Sequence, residues 1–178
     1  MDVRDLLVEL YDRIPDHVAR AVEGLDAPAL AATVAPGTNP IGWLVWHLTR
    51  VQDHHLAELT GDEQIWATGD WARRCGLDPD PGDTGYGHTP DDVARVRPDG
   101  PEVLVGYHAA VSDRTRAFLR GLTPADLDRV VDRRWDPPVT LGVRLVSVAD
   151  DDIQHAGQAA YLRGLLELGD RGGAATGP

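Results

Sequence analysis

The residues best able to do chemistry sit where a helix should carry its core. In "LVSVADDDIQHAGQAAYLRGLL", residues 145–166, apolar positions recur at helical spacing. A helix turns about 100° per residue, which puts Leu141, Leu145, Val148, Ala159, Leu162 and Leu166 on one face. Asp152 and His155 fall inside that face, and Asp151 lies at its edge, one turn before His155. Burying such groups unpaired costs several kcal/mol, so something must compensate them. Asp151 and His155 are neighbours at i and i+4, with Cβ atoms about 5–6 Å apart. A carboxylate oxygen and an imidazole nitrogen at that spacing can converge on one ion.

A second segment, "IGWLVWHLTRVQDHHLAELTG", contributes His47, His54 and His55. His47 flanks its apolar stripe and His55 lies within it. Those two are about 12 Å apart along a helix axis and cannot share one ion, nor can His47 and His54. A site must therefore combine one of these histidines with groups from another helix. His47 with Asp151 and His155 makes two nitrogens and one oxygen. Three protein ligands with a fourth position open is the pattern of a catalytic zinc site. The same spacing equally describes a structural, hydrogen-bonded His–Asp pair. His54 reads as a surface residue and His55 as a satisfied core histidine. His17, His88 and His108 have no partner in the sequence pattern. Cys75 has no nearby base and reads as an incidental loop cysteine.

Four helical segments would position these groups. The first spans about Asp2 to Gly24, with Leu6, Leu10, Ile14, Val18 and Val22 at steps of four and Pro15 kinking or splitting it. The second opens at "TNPIGW", where Thr38 or Asn39 can cap and Pro40 fits the first turn, and it stops at Gly61. The third runs from about Pro101 to Leu122, with Leu104, Tyr107, Val111 and Phe118 inside; the fourth runs from near Thr140 to near Gly169. Residues 62–99, crowded with Gly, Pro and Asp but carrying Trp66, Trp71 and Tyr86, form a long connection that reads as a lid, with a short helix near "TPDDVARV". A second long connection, "TPADLDRVVDRRWDPPVTLG", precedes the fourth helix. Strand alternation is nowhere strong. The pattern is an all-α four-helix bundle with long crossover connections, one domain over 1–168 and a flexible C-terminal tail over 169–178.

Composition narrows the function classes. The chain has 178 residues and a net charge of -12, and all 17 of its basic residues are arginine. An acidic surface repels phosphate backbones and argues against nucleic-acid binding. There is no run of apolar residues long enough for a membrane span, and the acidic, amphipathic N-terminus does not read as a signal peptide. One cysteine excludes an intramolecular disulfide and fits a cytoplasmic home. The absence of lysine beside abundant Ala, Arg, Gly, Pro and Val points to a high-GC bacterial genome.

The motifs "NPIGWLVWHLTRVQDHH" and "DDDIQHAGQAAYLRG" resemble those of the DinB-like (YfiT-like) metalloenzyme superfamily, which includes mycothiol-dependent maleylpyruvate isomerase and bacillithiol transferases. The resemblance covers nearly the whole chain. It implies a metal ligand at His47 and two more, one turn apart, at Asp151 and His155. The second place is His in many members and Glu in the isomerase, so the shorter Asp151 is a departure. Gln158 then becomes a reserve ligand or a polar group for bound water, and Asp152 a group that orients a ligand histidine. The resemblance implies a divalent cofactor, Zn²⁺ first and Ni²⁺ or Fe²⁺ next. It implies a transferase that activates a small thiol, mycothiol given the composition, for addition to an electrophile, and a homodimer. The isomerase's additional C-terminal domain finds no counterpart before "GDRGGAATGP", so that activity is not expected. The competing readings are a non-enzymatic metal-binding or dimeric stress-related bundle, and a metal-dependent hydrolase. Arg144 and Arg163 can hold an anionic group but read first as solvated charges.

Overall fold

The computed structural model describes residues 1–173, and within them the four expected helical segments form a four-helix bundle. The first is split. Helix α1 (Val3–Tyr11) is opened by a capping box in which Asp2 and Asp5 satisfy each other's backbone N–H groups. Helix α2 (Ile14–Val22) restarts after Asp12 and Arg13 with Pro15 in its first turn, where the missing N–H costs nothing. A short turn, α3 (Ala27–Leu30), leads to α4 (Ile41–Thr60), which ends on Gly61 in the left-handed region at φ 78°. The N-cap of α4 is Pro40 itself, with no side-chain cap, which corrects the expectation for Thr38 and Asn39. Thr38 instead bonds back to Ala35, closing the turn before the helix.

Three short helices, α5 (Ile65–Thr68), α6 (Trp71–Arg74) and α7 (Pro90–Arg95), punctuate the first crossover. Helix α8 (Pro101–Arg120) runs parallel to α4: Gly42 lies against Pro98 at one end, and Arg114 donates to the Glu63 carbonyl at the other. A 3₁₀ turn (Pro124–Asp128) and a small antiparallel pair, β1 (Val130–Asp132) and β2 (Val139–Thr140), then deliver the chain to α9 (Leu141–Gly173). This pair was not expected: strands of three and two residues are too short to carry an alternation signal. The expected tail begins inside α9 as observed, and its residues 174–178 lie outside the described ones.

Helix α4 packs most extensively against α9, and α8 and α2 complete the bundle around them. Leu141, Leu145, Val148, Ala149, Ala156 and Ala159 form the buried face of α9. Helix α4 is buried almost all round, Trp43, Trp46, Thr49, Arg50, Gln52 and Asp53 included. Its outer side is covered by the first crossover, not by another long helix. Fully buried Trp66 from that crossover meets the edge of Trp46, at 6.1 Å between ring centroids, and lies under the Arg50 guanidinium. Asp53 accepts hydrogen bonds from the backbone N–H groups of Ile65 and Trp66 (3.0 and 2.8 Å) and from the Tyr107 hydroxyl (2.8 Å), so the roof is tied to α4 by a buried carboxylate.

Candidate metal centre

His47, half-way along α4, and Asp151 and His155, one turn apart on α9, meet between the two helices. One nitrogen or oxygen from each lies within 4.8 Å of the others. The His47 and His155 rings meet edge to face at 4.8 Å, and Trp43 stacks on His47 at 4.6 Å. His155 Nε2 is 3.5 Å from Asp151 Oδ1, while Asp151 Oδ2 is buried and has no hydrogen-bond partner.

Hydrogen bonds on the far side of each ring set its tautomer. His47 Nδ1 is 2.5 Å from the Thr84 carbonyl oxygen, which can only accept, so Nδ1 carries the proton and Nε2 keeps its lone pair. His155 Nδ1 is 2.8 Å from Gln158 Oε1 and donates to it, which leaves Nε2 turned toward the Asp151 carboxylate. Imidazoles held through the opposite nitrogen by a carbonyl oxygen are the arrangement in which histidines ligate metals. Burial pushes the His47 pKa down and keeps the ring neutral, with His47 itself only 6% exposed. The hydrogen bond with Asp151 pulls that of His155 up. Two imidazoles and a carboxylate with one donor atom each within 4.8 Å fit a divalent cation: the donor types are right, and Asp151 Oδ2 is buried without a hydrogen-bond partner.

The two subsidiary candidates are placed differently. Gln158 lies behind His155 and orients it, away from the space the three donors share. Asp152 is fully buried, and both its oxygens lack hydrogen-bond partners, so it accepts from no histidine among the described residues. One residue along the helix is a rotation of about 100°, which turns Asp152 into the bundle and away from the cleft. Burial, then the Asp151 charge, raises its carboxyl well above the usual carboxylate range.

A second group, His54, His55 and Glu58, also brings potential donors within 4.8 Å of one another. There the lone pairs are engaged. His55 Nε2 faces the Arg144 guanidinium at 3.3 Å, which can only donate, so Nδ1–H points at Glu58 Oε2 at 3.1 Å. His55 is therefore the satisfied histidine expected of it, although only partly buried.

The residues that sequence reasoning missed hold His47 from the crossover. Arg50 is fully buried, and its guanidinium donates to the backbone carbonyls of Asp83 (2.9 Å) and Pro81 (3.1 Å), fixing the strand of loop that ends in the Thr84 carbonyl. Gly85 follows at φ 87°, and a Cβ there would lie 2.8 Å from both His47 Nδ1 and Trp46 Cζ3. His88, which had no partner in the sequence pattern, accepts from Trp43 Nε1 (3.1 Å), donates to Asp83 (2.8 Å) and stacks on Trp46. "GDTGYGH" with its closely spaced glycines was the available signal. Cys75 is buried at the end of α6, and burial pushes its thiol up to about 12, which makes it inert.

An open cavity of about 410 Å³ gives access to the cluster. His47, Asp151, Thr84 and Val148 line it, and Tyr86 stands at its rim, 93% exposed.

A four-helix bundle with two long crossovers and a His/Asp/His cluster facing an open cleft defines a DinB-like protein. The chain belongs to the mycothiol-S-transferase family, which it matches over residues 6–167. It is similar to a solved structure, the conserved protein of a locus from Enterococcus faecalis, at 32% identity and a TM-score of 0.83, covering 92% of this chain and 96% of that one. No curated protein matches the chain significantly.

Proposed function

We propose that this protein is a divalent-metal-dependent transferase that adds a small thiol of the mycothiol class to an electrophilic small molecule, with His47, Asp151 and His155 as the metal ligands. The observation that carries the reading is that His47, Asp151 and His155 each bring one donor atom within 4.8 Å of the others, with His47 and Asp151 lining an open cavity. Family membership supports the thiol and the transfer. A divalent ion, zinc foremost and nickel or iron next, supplies positive charge that keeps a thiol as the nucleophilic thiolate at neutral pH. Thr84 and Gln158 hold the two imidazoles in the ligating tautomer, and Trp43 shields His47 from solvent. Gln158 is engaged with His155, so three protein donors leave positions open. That favours a reacting centre over a saturated, purely structural one.

No described helix is long and apolar enough to cross a membrane, and the single buried cysteine suits a reducing cytoplasm. A homodimer is part of the proposal. Val143, Val146, Ile153 and Tyr161 are exposed along one side of α9, where Gly157 and Gly164 leave open space for close approach.

The test is elemental analysis of untagged protein beside His155→Ala. About one zinc, nickel or iron per chain in the wild type, lost in the variant, is expected. Metal-free wild type after incubation with excess ion would sink the reading. Loaded protein is then assayed for consumption of mycothiol against small electrophiles.

A further inference from the structure

Beside the metal cleft lies a second cavity of about 460 Å³, and the two share His55 as a common wall. Four arginines line it, Arg129, Arg133, Arg134 and Arg144, against two carboxylates, Asp132 and Glu58. On a chain of net charge -12 this is a local excess of positive charge, with Arg144 shielded and Arg129, Arg133 and Arg134 open to solvent. The arginines are not equivalent. Asp132 is buried, and the Arg134 hydrogen bonds (2.9 and 2.8 Å) hold its carboxyl ionised, well below the usual range. Asp132 also accepts from Arg144 (3.0 Å), whose side chain is only 15% exposed and reaches His55. Arg134 and Arg144 are thereby pinned in place. The side chains of Arg129 and Arg133 have no hydrogen-bond or ion-pair partner among the described residues, and they lie beside that pinned pair.

The two cavities are in register along α9. Arg144, Val148, Asp151 and His155 fall on one stripe at i, i+4, i+7 and i+11, which sets Arg144 about 10 Å along the axis from Asp151. We infer that the arginine cavity is an oxyanion subsite, taking a carboxylate or phosphate group of a substrate whose reacting end lies at the His47–Asp151–His155 cleft. Planar guanidinium donors match both oxyanions in bidentate fashion, and Asp132 fixes Arg134 and Arg144 as a wall beside the unpaired Arg129 and Arg133 guanidiniums. Only the identity of the reacting end rests on the metal reading; the anion site stands on its own residues. The substrate so defined is an anionic small molecule long enough to span about 10 Å between its charged group and its reacting atom.

The site is tested on metal-stripped protein, which separates it from the metal centre. Inorganic phosphate and succinate are titrated by isothermal calorimetry or by chemical-shift changes into wild type, into Arg129→Ser/Arg133→Ser, and into Arg73→Ser, whose arginine lies on α6 away from the cavity. Saturable binding of one probe to wild type and to Arg73→Ser, weakened about tenfold or more in the double variant and by raised salt, is the expected result. The tighter probe tells phosphate from carboxylate as the preferred group. Equal affinity in wild type and the double variant, or no saturable binding of either probe, would overturn the subsite. A failed metal analysis with intact anion binding would overturn only the reading of the neighbouring cleft.

Discussion

The proposed function depends at the residue scale on two ring nitrogens that are not hydrogen-bonded outward, and on the groups that keep them so. The i, i+4 spacing of Asp151 and His155 was legible in the sequence, as was the fact that neither His54 nor His55 can share an ion with His47. The Thr84 carbonyl was not, because a backbone acceptor has no residue type of its own. Gly85 is its indirect trace. Gly85→Ala places a Cβ 2.8 Å from His47 Nδ1 at a positive φ, so a loss of about 2 kcal/mol in urea-denaturation stability is expected. Metal affinity should fall in the same variant, read by competition with a chromogenic chelator. Removal of an outer partner of a ligating histidine usually costs about 10–100-fold in affinity. Gln158→Ala frees His155 Nδ1 of its acceptor without touching the shared space, and it should fall in that range while the fold's melting temperature barely moves. Loss of the metal outright in Gln158→Ala would instead mark it as a ligand.

At the element scale, α4 and α8 are joined by a buried polar contact that sequence periodicity could not assign. His108 on α8 is 1% exposed, with Thr49 Oγ1 at 3.3 Å from Nδ1 and Ser112 Oγ at 3.2 Å from Nε2. Burial pulls its pKa from 6.5 to about 4. The unfolded chain therefore takes up the proton first on acidification, and the contribution present above the unfolded pKa is lost as pH falls toward the folded one. Between about pH 7 and about pH 5 the urea midpoint should drop by the equivalent of about 2 kcal/mol, and His108→Gln should flatten that part of the profile. An unchanged slope in the variant would place the acid sensitivity elsewhere. The long helices and the Pro15 break were legible, because apolar spacing and proline sterics act locally. The continuous burial of α4 was not: its cover is an irregular crossover, whose Trp66 and Asp53 anchors act across the fold rather than along the chain. Cys75, closed under that cover, should resist a thiol reagent in the native protein and react on unfolding in urea.

At the scale of the whole molecule, the bundle leaves one long face of α9 apolar and open while the opposite face carries the metal cleft and the arginine cavity. Association through Val146 and Ile153 would leave both cavities accessible. Light scattering should find a dimer for the wild type, and Val146→Glu/Ile153→Glu should shift it to the monomer with helical content and metal content retained, since both residues are exposed in the single chain. A wild-type monomer at tens of micromolar would remove the dimer from the proposal without touching the site. The composition foretold the acidic exterior. It could not foretell a positive cavity within it, because Arg129, Arg133 and Arg134 meet Arg144 only when the short hairpin docks on α9.

The order of the elements bears on how such a centre is completed in the cell. The ribosome makes α4 and the crossover before α9, and α9 carries two of the three proposed donors. His47, correctly posed by Thr84, still offers a nascent chain only one nitrogen until α9 has emerged and docked. An ion held by all three donors would therefore be captured only after synthesis has passed His155.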